Sequence, residues 1–249
     1  MSASATVSIV VPALNEARRI ESCLQRLRGD FPDCELVVVD GGSTDETFDL
    51  AARYACTIRS AAGRATQMNA GAALTTGDIL WFVHADCRVP TDALDLLRRA
   101  VRDPCVVGGG LQLRFDQRSL GLSYLAVGSN LRARRLHWIF GDQAMFVRRD
   151  VFDSVGGFPE IPLMEDLEMS RILRRRGHLA VLPTTVTASA RRLVDQGPWR
   201  MTLLMQLLKL QYLLGADPER IRRRYEAGTR RGRRKNSRRI RHDRRSHDR

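Results

Sequence analysis

The sequence predicts an α/β fold with a mostly parallel central sheet flanked by helices. Short apolar, β-branched runs alternate with helical patterns between residues 7 and 83. The runs at 35–39 and 79–83 each end in a polar or glycine-rich turn, where open parallel sheets place their ligands. At 249 residues and 43% hydrophobic content, the chain can bury a substantial core.

Taken in order, Val7, Ile9, Val10 and Val11 make the first strand, which Pro12 is expected to stop. Asn15 is placed to cap a helix carrying Ile20, Cys23, Leu24 and Leu27 on one face. Strand 35–39 runs into Asp40-Gly41-Gly42-Ser43-Thr44-Asp45-Glu46. Its glycines admit a tight turn, and Ser43 or Thr44 can cap the next helix. A short strand at 57–59 precedes Gly63-Arg64-Ala65-Thr66-Gln67-Met68-Asn69-Ala70-Gly71. The apolar run 79–83 then reads as a buried strand that ends abruptly in His84-Ala85-Asp86. This alternation implies parallel strands joined by right-handed crossovers.

The second half changes character. A helix is expected at 92–101 and a strand at 106–115, with a flexible entry at Gly108-Gly109-Gly110. A helix at 120–136 carries Arg132, Arg134 and Arg135 late in it. Gly141-Asp142-Gln143 leads into a strand at 144–147, and Gly156-Gly157-Phe158-Pro159 is a loop. Met164-Glu165-Asp166 opens a helix that is acidic at its start, basic near its end and stopped by Gly177. Residues 199–214 form a strongly apolar helix whose only polar stripe is Thr202, Gln206 and Lys209. It is too short for a bilayer span, which needs roughly 20 apolar residues. Core, a homodimer face, and an interfacial helix on a membrane are its three possible placements.

The formal charge of +13 is unevenly spread. From residue 220 on there are 15 Lys/Arg against 3 Asp/Glu, so the preceding part is within one charge of neutral. Such an Arg-rich tail, 218–249, is expected to be disordered and to seek polyanions. The adjoining apolar helix favours an anionic membrane face over nucleic acid. Five scattered cysteines without a CxxC pair suggest reduced thiols and a cytoplasmic protein, peripheral on the inner membrane face where the tail engages it. No signal peptide is expected at the N-terminus.

His84 and Asp86, two residues apart at a strand end, can point the same way as metal ligands. Asp40 can accept hydrogen bonds from a ribose or base N–H, or serve only as a turn residue. Arg64 can face a diphosphate. Glu165 and Asp166 can be dipole partners of their helix. There is no GxxxxGK[ST] and no GxGxxG after a strand, so phosphate-loop and dinucleotide readings lack their signature.

Taken jointly and in order, these motifs resemble the family 2 glycosyltransferases with a GT-A nucleotide-diphospho-sugar transferase fold. The pieces are residues 7–16, Asp40 to Asp45, Asn69-Ala70-Gly71 with Gly77-Asp78, His84-Ala85-Asp86, and Glu165-Asp166 with Arg171 and Gly177. The triplet at 84–86 and the segment around Gln67 are similar to a small bacterial subgroup often labelled carotenoid-acid glycosyltransferases. The resemblance implies one catalytic domain over 1–217, with a Rossmann-like nucleotide half at about 6–90 and an acceptor half at about 91–217. It implies inverting transfer of a sugar from a nucleotide diphosphate, UDP ahead of GDP, to a hydroxyl or carboxyl acceptor, and a lipid-like acceptor suits the apolar helix. By the match, Pro12, Ala13, Asn15, Glu16, Asp40, Arg64, Asn69, Ala85 and Asp86 contact the nucleotide sugar. Asp86 with His84 holds manganese or magnesium, and Asp166 is the catalytic base. Gly141, Asp142, Gln143, Glu165, Arg191 and Arg192 are expected near the acceptor or diphosphate.

Two departures stand out. His84 replaces the first Asp of the family's DxD, which removes one negative charge from the metal site. Ala190-Arg191-Arg192-Leu193 stands where polymerising relatives carry QxxRW, which argues against a processive synthase. The rival functional reading is a non-catalytic nucleotide-sugar-binding protein whose basic tail binds polyanions. A sugar nucleotidyltransferase is the third reading, and it lacks the expected Gly-rich, Lys-bearing segment near residue 10.

Overall fold

The structure, a computed structural model, describes residues 5–229. Its strands are β1 (Val7–Ala13), β2 (Glu35–Asp40), β3 (Cys56–Arg59), β4 (Ile79–Phe82), β5 (Cys87–Arg88), β6 (Val106–Phe115), β7 (Phe146–Arg148) and β8 (His178–Ala188). Its helices are α1 (Ala17–Asp30), α2 (Thr47–Ala52), α3 (Arg64–Leu74), α4 (Ala93–Ala100), α5 (Leu120–Leu136), α6 (Arg149–Ser154), α7 (Glu165–Leu173), α8 (Arg191–Gln196) and α9 (Pro198–Leu213). The strands form one sheet in the order β3-β2-β1-β4-β7-β6-β8-β5. Its first four members are parallel, as the β-α alternation requires. β7 then runs antiparallel to both β4 and β6. β8 pairs parallel with β6, and β5 closes the edge against β8 in the antiparallel sense.

Alternate residues of the central strands feed two cores, one on each face. Ile9, Val11, Val38 and Trp81 pack under α1 and α4 with Leu24 and Leu97. Val10, Val39, Leu80 and Phe82 pack with Met68 of α3 and with Phe152 and Phe158. A third cluster seats α9: Leu208 and Ile221 meet Met164, Leu167, Trp138 and Phe140. Met201, Leu208 and Lys209 are buried on the inner side of α9, while its outer side remains exposed. No helix among the described residues is long and apolar enough to cross a membrane.

Several local expectations change. Pro12 does not stop β1; the pairing to β4 ends at Val10, while the pairing to β2 continues through Ala13. Asn15 is not the helix cap. It adopts φ 55, a left-handed conformation Asn tolerates, and Glu16 takes the capping position. Its side-chain Oδ1 instead accepts from the Thr44 N–H at 2.9 Å, bracing the β2–α2 turn. The glycine triplet of β6 is a close-packing device, not a flexible entry. A Cβ at Gly109 would lie 2.0 Å from the Ala180 carbonyl oxygen, and one at Gly110 would lie 2.4 Å from Ile139. The segment expected to be disordered from 218 on is helical over 218–229; the rest of the tail, 230–249, lies outside the described residues.

Candidate active site

Parallel register brings the carboxyl ends of β1, β2 and β4 side by side, and the site is built from the turns and helices that leave those ends. At the β1–β2 corner, Ala13 is level with Asp40. Asp40 is fully buried. Its Oδ2 accepts from the Gly42 and Ser43 N–H groups at 3.1 and 3.0 Å, while Oδ1 has no hydrogen-bond partner among the described residues. Gln67, reaching over from α3, donates from Nε2 to the carbonyls of Ala13 and Val39, both at 2.8 Å. It ties the two strand ends at the point where they could splay. Sequence reasoning gave Gln67 no role, although a Gln at a helix position that is otherwise Ala and Met was the available signal.

Asn69, one helical turn beyond the start of α3, is not part of this corner. Its carboxamide is consumed by one residue: Nδ2 donates to the Phe158 carbonyl at 2.9 Å and Oδ1 accepts from the Phe158 N–H at 2.8 Å. The resemblance expects a nucleotide-sugar contact at this residue; in the structure both polar atoms of its carboxamide engage the Phe158 backbone. Asn69→Ala orphans both backbone groups of a nearly buried residue, so stability is expected to fall by about 1–3 kcal/mol. Nucleotide affinity is expected to stay at the wild-type value; urea unfolding and a binding titration on the same sample check the two halves.

The second corner lies just beyond β4. His84, Asp86 and Cys87 each offer a ligand atom, all within 4.8 Å of one another. Burial, followed by the negative charges of Asp86 and Asp142, pushes the Cys87 thiol well above its ordinary range. Of the three, the carboxylate of Asp86, with the imidazole of His84 beside it, suits a hard divalent cation, whereas a thiol suits a softer one. The Ser189 N–H donates to the Asp86 carbonyl at 3.2 Å. That bond sets the start of α8, and hence the backbone of Arg191, beside this corner. Arg192 comes next in the same helix, its side chain outside what the structure describes. A cleft of about 820 Å³ opens at Asp86, with Arg19, Arg26, Arg88 and Arg114 on its walls. Asp30 and Asp116 share those walls with Asp86, so the four arginines outnumber the carboxylates by one.

The third wall is α7 with the 3₁₀ turn Gly141–Gln143. Asp166 is buried in the first turn of α7. Its Oδ2 accepts from the Gly141 N–H at 2.8 Å, and its Oδ1 has no partner among the described residues. Burial, reinforced by the charge of Glu165, raises the Asp166 carboxyl to about 7, against the pull of Arg64 and the Gly141 N–H. Asp142 is also raised, first by burial, and its Oδ1 is likewise unpartnered among the described residues. Gly141 packs against the Cε1–Nε2 edge of His84, where a Cβ would come within 2.4 Å. Arg64, at the start of α3, reaches Glu165 at 3.8 Å and lies in the field of Asp166 and Asp86. It links the base corner to the metal corner.

Gln143, expected near the acceptor or diphosphate, holds the turn in place. Its Nε2 donates to the Leu111 carbonyl at 3.1 Å, and its Oε1 accepts from Arg132 at 2.8 Å. Arg132 in turn stacks over the Phe140 ring at 3.7 Å, and the Lys209 ammonium faces that ring at 5.5 Å. Desolvation, then the nearby Arg132 charge, lowers Lys209 to about 8. Neither cation was singled out as a site residue from the sequence, because both reach Phe140 through tertiary packing.

Against known proteins, residues 8–155 match the model of glycosyl transferase family 2. A PGL/p-HBAD biosynthesis glycosyltransferase of Mycobacterium tuberculosis is 43% identical over 88 residues, covering 32% of this chain and 34% of that protein. The chain thus matches about a third of the length of that relative. Among solved structures, a mannosyltransferase from Pyrobaculum calidifontis in complex with GDP-Man and Mn2+ superposes with TM-score 0.61 and 22% identity, over 92% of this chain and 70% of that one. Glucosyl-3-phosphoglycerate synthase from M. tuberculosis, in complex with Mn2+, UDP-Glc and phosphoglyceric acid, gives 0.56 and 19% over 74% and 70%.

Proposed function

The chain belongs to glycosyl transferase family 2, and on that premise we propose that it transfers a sugar, with inversion, from a nucleotide diphosphate to an acceptor hydroxyl. One observation carries the reading: a buried carboxylate with a free oxygen, Asp166, stands with Arg64 beside the His84–Asp86 corner. Those are the groups a single displacement needs, one base and one charge-bearing site for the leaving diphosphate.

The nucleoside lies at the β1–β2 corner, with Pro12, Ala13, Asn15 and Glu16 along it. Oδ1 of Asp40 accepts from a base N–H or a ribose hydroxyl. A pyrimidine N–H fits such a single acceptor, so a UDP-sugar is favoured; the structural neighbours hold UDP- and GDP-sugars alike. The diphosphate lies between Ala85, Asp86, Arg64 and the arginine-walled cleft. The acceptor oxygen attacks the anomeric carbon as Asp166 Oδ1 takes its proton. The new C–O bond forms while the bond to the diphosphate breaks on the opposite face, and the configuration inverts. No second nucleophilic carboxylate is required. A carboxyl acceptor would already be ionised and would leave Asp166 idle, so a hydroxyl is the better match. The exposed apolar side of α9 suits an acceptor with a lipid-like body.

Asp86, assisted by His84, would hold a divalent metal, which neutralises charge on the departing diphosphate. The donor set fits: magnesium and manganese take one or two carboxylates together with phosphate oxygens. A single carboxylate makes the metal dependent on bound nucleotide. The expected result is a melting temperature raised by UDP plus manganese well beyond the sum of each alone, with the extra increment gone in Asp86→Asn. Ligand at 100 times its Kd contributes about 2.7 kcal/mol. A nucleotide shift that ignores manganese would overturn the metal assignment, and no shift with UDP or GDP would overturn the transferase reading.

A further inference from the structure

The outer faces of α5 and α9 carry apolar side chains with nothing over them among the described residues. On α5 these are Leu120, Tyr124, Val127 and Leu131, which are 88%, 62%, 66% and 54% exposed. Their spacing of four, three and four residues puts them on one side of the helix. On α9 they are Trp199, Leu203, Leu207 and Leu210, 59%, 73%, 48% and 54% exposed. The two rows join at Tyr124 and Trp199, whose rings lie 5.5 Å apart. Apart from its polar stripe, α9 carries apolar side chains on both its inner and its outer side, and only the inner side is buried. Contiguous exposed apolar rows of this length mark a surface that something covers.

The chain itself indicates what covers it. Helix 218–229 runs back along α9: Gly228 packs against Leu204, and Arg200 donates to the Gly228 carbonyl. The described residues therefore end beside Arg200, next to Trp199. The next twenty residues contain 11 Lys/Arg and 2 Asp/Glu. In sequence, the polycation thus follows directly on residues that lie at the edge of the apolar rows. An apolar face flanked by a dense positive charge fits an anionic phospholipid bilayer. A second copy fits worse, because pairing these faces would set two such tails against each other.

We propose that the α5–α9 face docks on anionic phospholipid membranes, with Trp199, Leu203 and Leu207 entering the interface and the positive charge of the sequence at 230–249 adding electrostatic attraction. The inner side of α9 places Lys209 over Phe140, next to Gly141 and hence to Asp166. Docking by this face holds the catalytic corner close to the bilayer. The inference stands on exposed side chains and charge and does not depend on the transfer reaction.

The test uses the full chain and vesicles of phosphatidylcholine with or without phosphatidylglycerol, in a flotation assay. The expected result is co-flotation with the anionic vesicles, weaker at high salt, and a blue shift of tryptophan emission. Leu203→Glu with Leu207→Glu is expected to lower partitioning by roughly tenfold or more, with an unchanged melting temperature because both positions are exposed. Trp199→Ser should remove most of the emission shift, since Trp81 is fully buried in the sheet and Trp138 packs into the inner cluster of α9. Vesicle binding unaffected by the double substitution would mean that the tail alone binds, and would overturn the docking face. Absence of vesicle binding, with the substitutions instead converting a dimer to a monomer on light scattering, would make the face a dimer interface and overturn the proposal as well.

Discussion

Asp166→Asn is expected to lower turnover by roughly a thousandfold while nucleotide affinity stays within about twofold, the range for removal of a positioned general base. The substitution is nearly isosteric, and an Asn Oδ1 can still accept from the Gly141 N–H, so the 3₁₀ turn is retained. What disappears is the lone pair that takes the acceptor's proton. Steady-state rates and a nucleotide titration separate the two effects; near-wild-type turnover would remove Asp166 from its role. The raised carboxyl supplies two further readouts. Asp166 works only when ionised, so the wild-type rate is expected to climb with pH and reach half its maximum near 7. The stability effect has the opposite slope. The carboxyl is raised from an ordinary 3.8, so the native state holds this proton more tightly than the unfolded chain does. Its contribution to stability is fully present below about 3.8 and is lost as pH rises through about 7. The Asn variant carries no such loss. Its melting temperature should exceed the wild type's by several degrees at pH 8, and by much less at pH 5. A variant less stable than wild type at pH 8 would contradict the assignment of burial as the main cause of the shift.

The parts of this site that were legible in the sequence are those governed by local grammar. Asp40 and His84 stand where a strand's apolar run stops, with Asp86 two residues on; Asp166 is placed by a helix start, and the family resemblance supplied its chemical role. The parallel half of the sheet was readable from strand–helix alternation for the same reason. Strand β8 was not legible. Pro183, Thr184, Thr185 and Thr187 break its apolar period, and it is a strand because β6 offers it a partner along nearly its whole length. The three glycines of β6 look flexible in one dimension; only the approach of Phe146 and Ala180 shows that they are spaces for neighbouring backbone. Asn69 sits in a motif shared with nucleotide-sugar enzymes, and the motif does not say which way the side chain turns. The exposed row on α5 was invisible because Leu120, Tyr124, Val127 and Leu131 have the spacing of an ordinary core face. Only the packing shows that they face outward.

Gly141→Ala is expected to cut turnover roughly a hundredfold, although no reacting atom belongs to residue 141. The argument is steric. The added methyl would lie 2.4 Å from two ring atoms of His84 and 3.0 Å from Asp166 Oδ2. Neither neighbour has an easy retreat: His84 is buried at the end of β4, and Asp166 is buried in the first turn of α7. The turn must therefore move, and Gln143, pinned to Leu111 and Arg132, limits where it can go. Whichever side yields, the Gly141 N–H loses its line to the carboxylate, or the imidazole leaves the metal corner. A displacement of about 1 Å in such a constellation can cost on the order of a hundredfold in rate. The two outcomes differ in pH dependence. The Gly141 hydrogen bond holds the Asp166 carboxyl down against burial, so its loss moves the midpoint of the rate profile above 7. Displacement of His84 alone leaves that midpoint in place and weakens the manganese-dependent part of nucleotide binding. Wild-type rates in Gly141→Ala, with manganese response and pH midpoint both unmoved, would show that this turn does not couple the base to the metal corner.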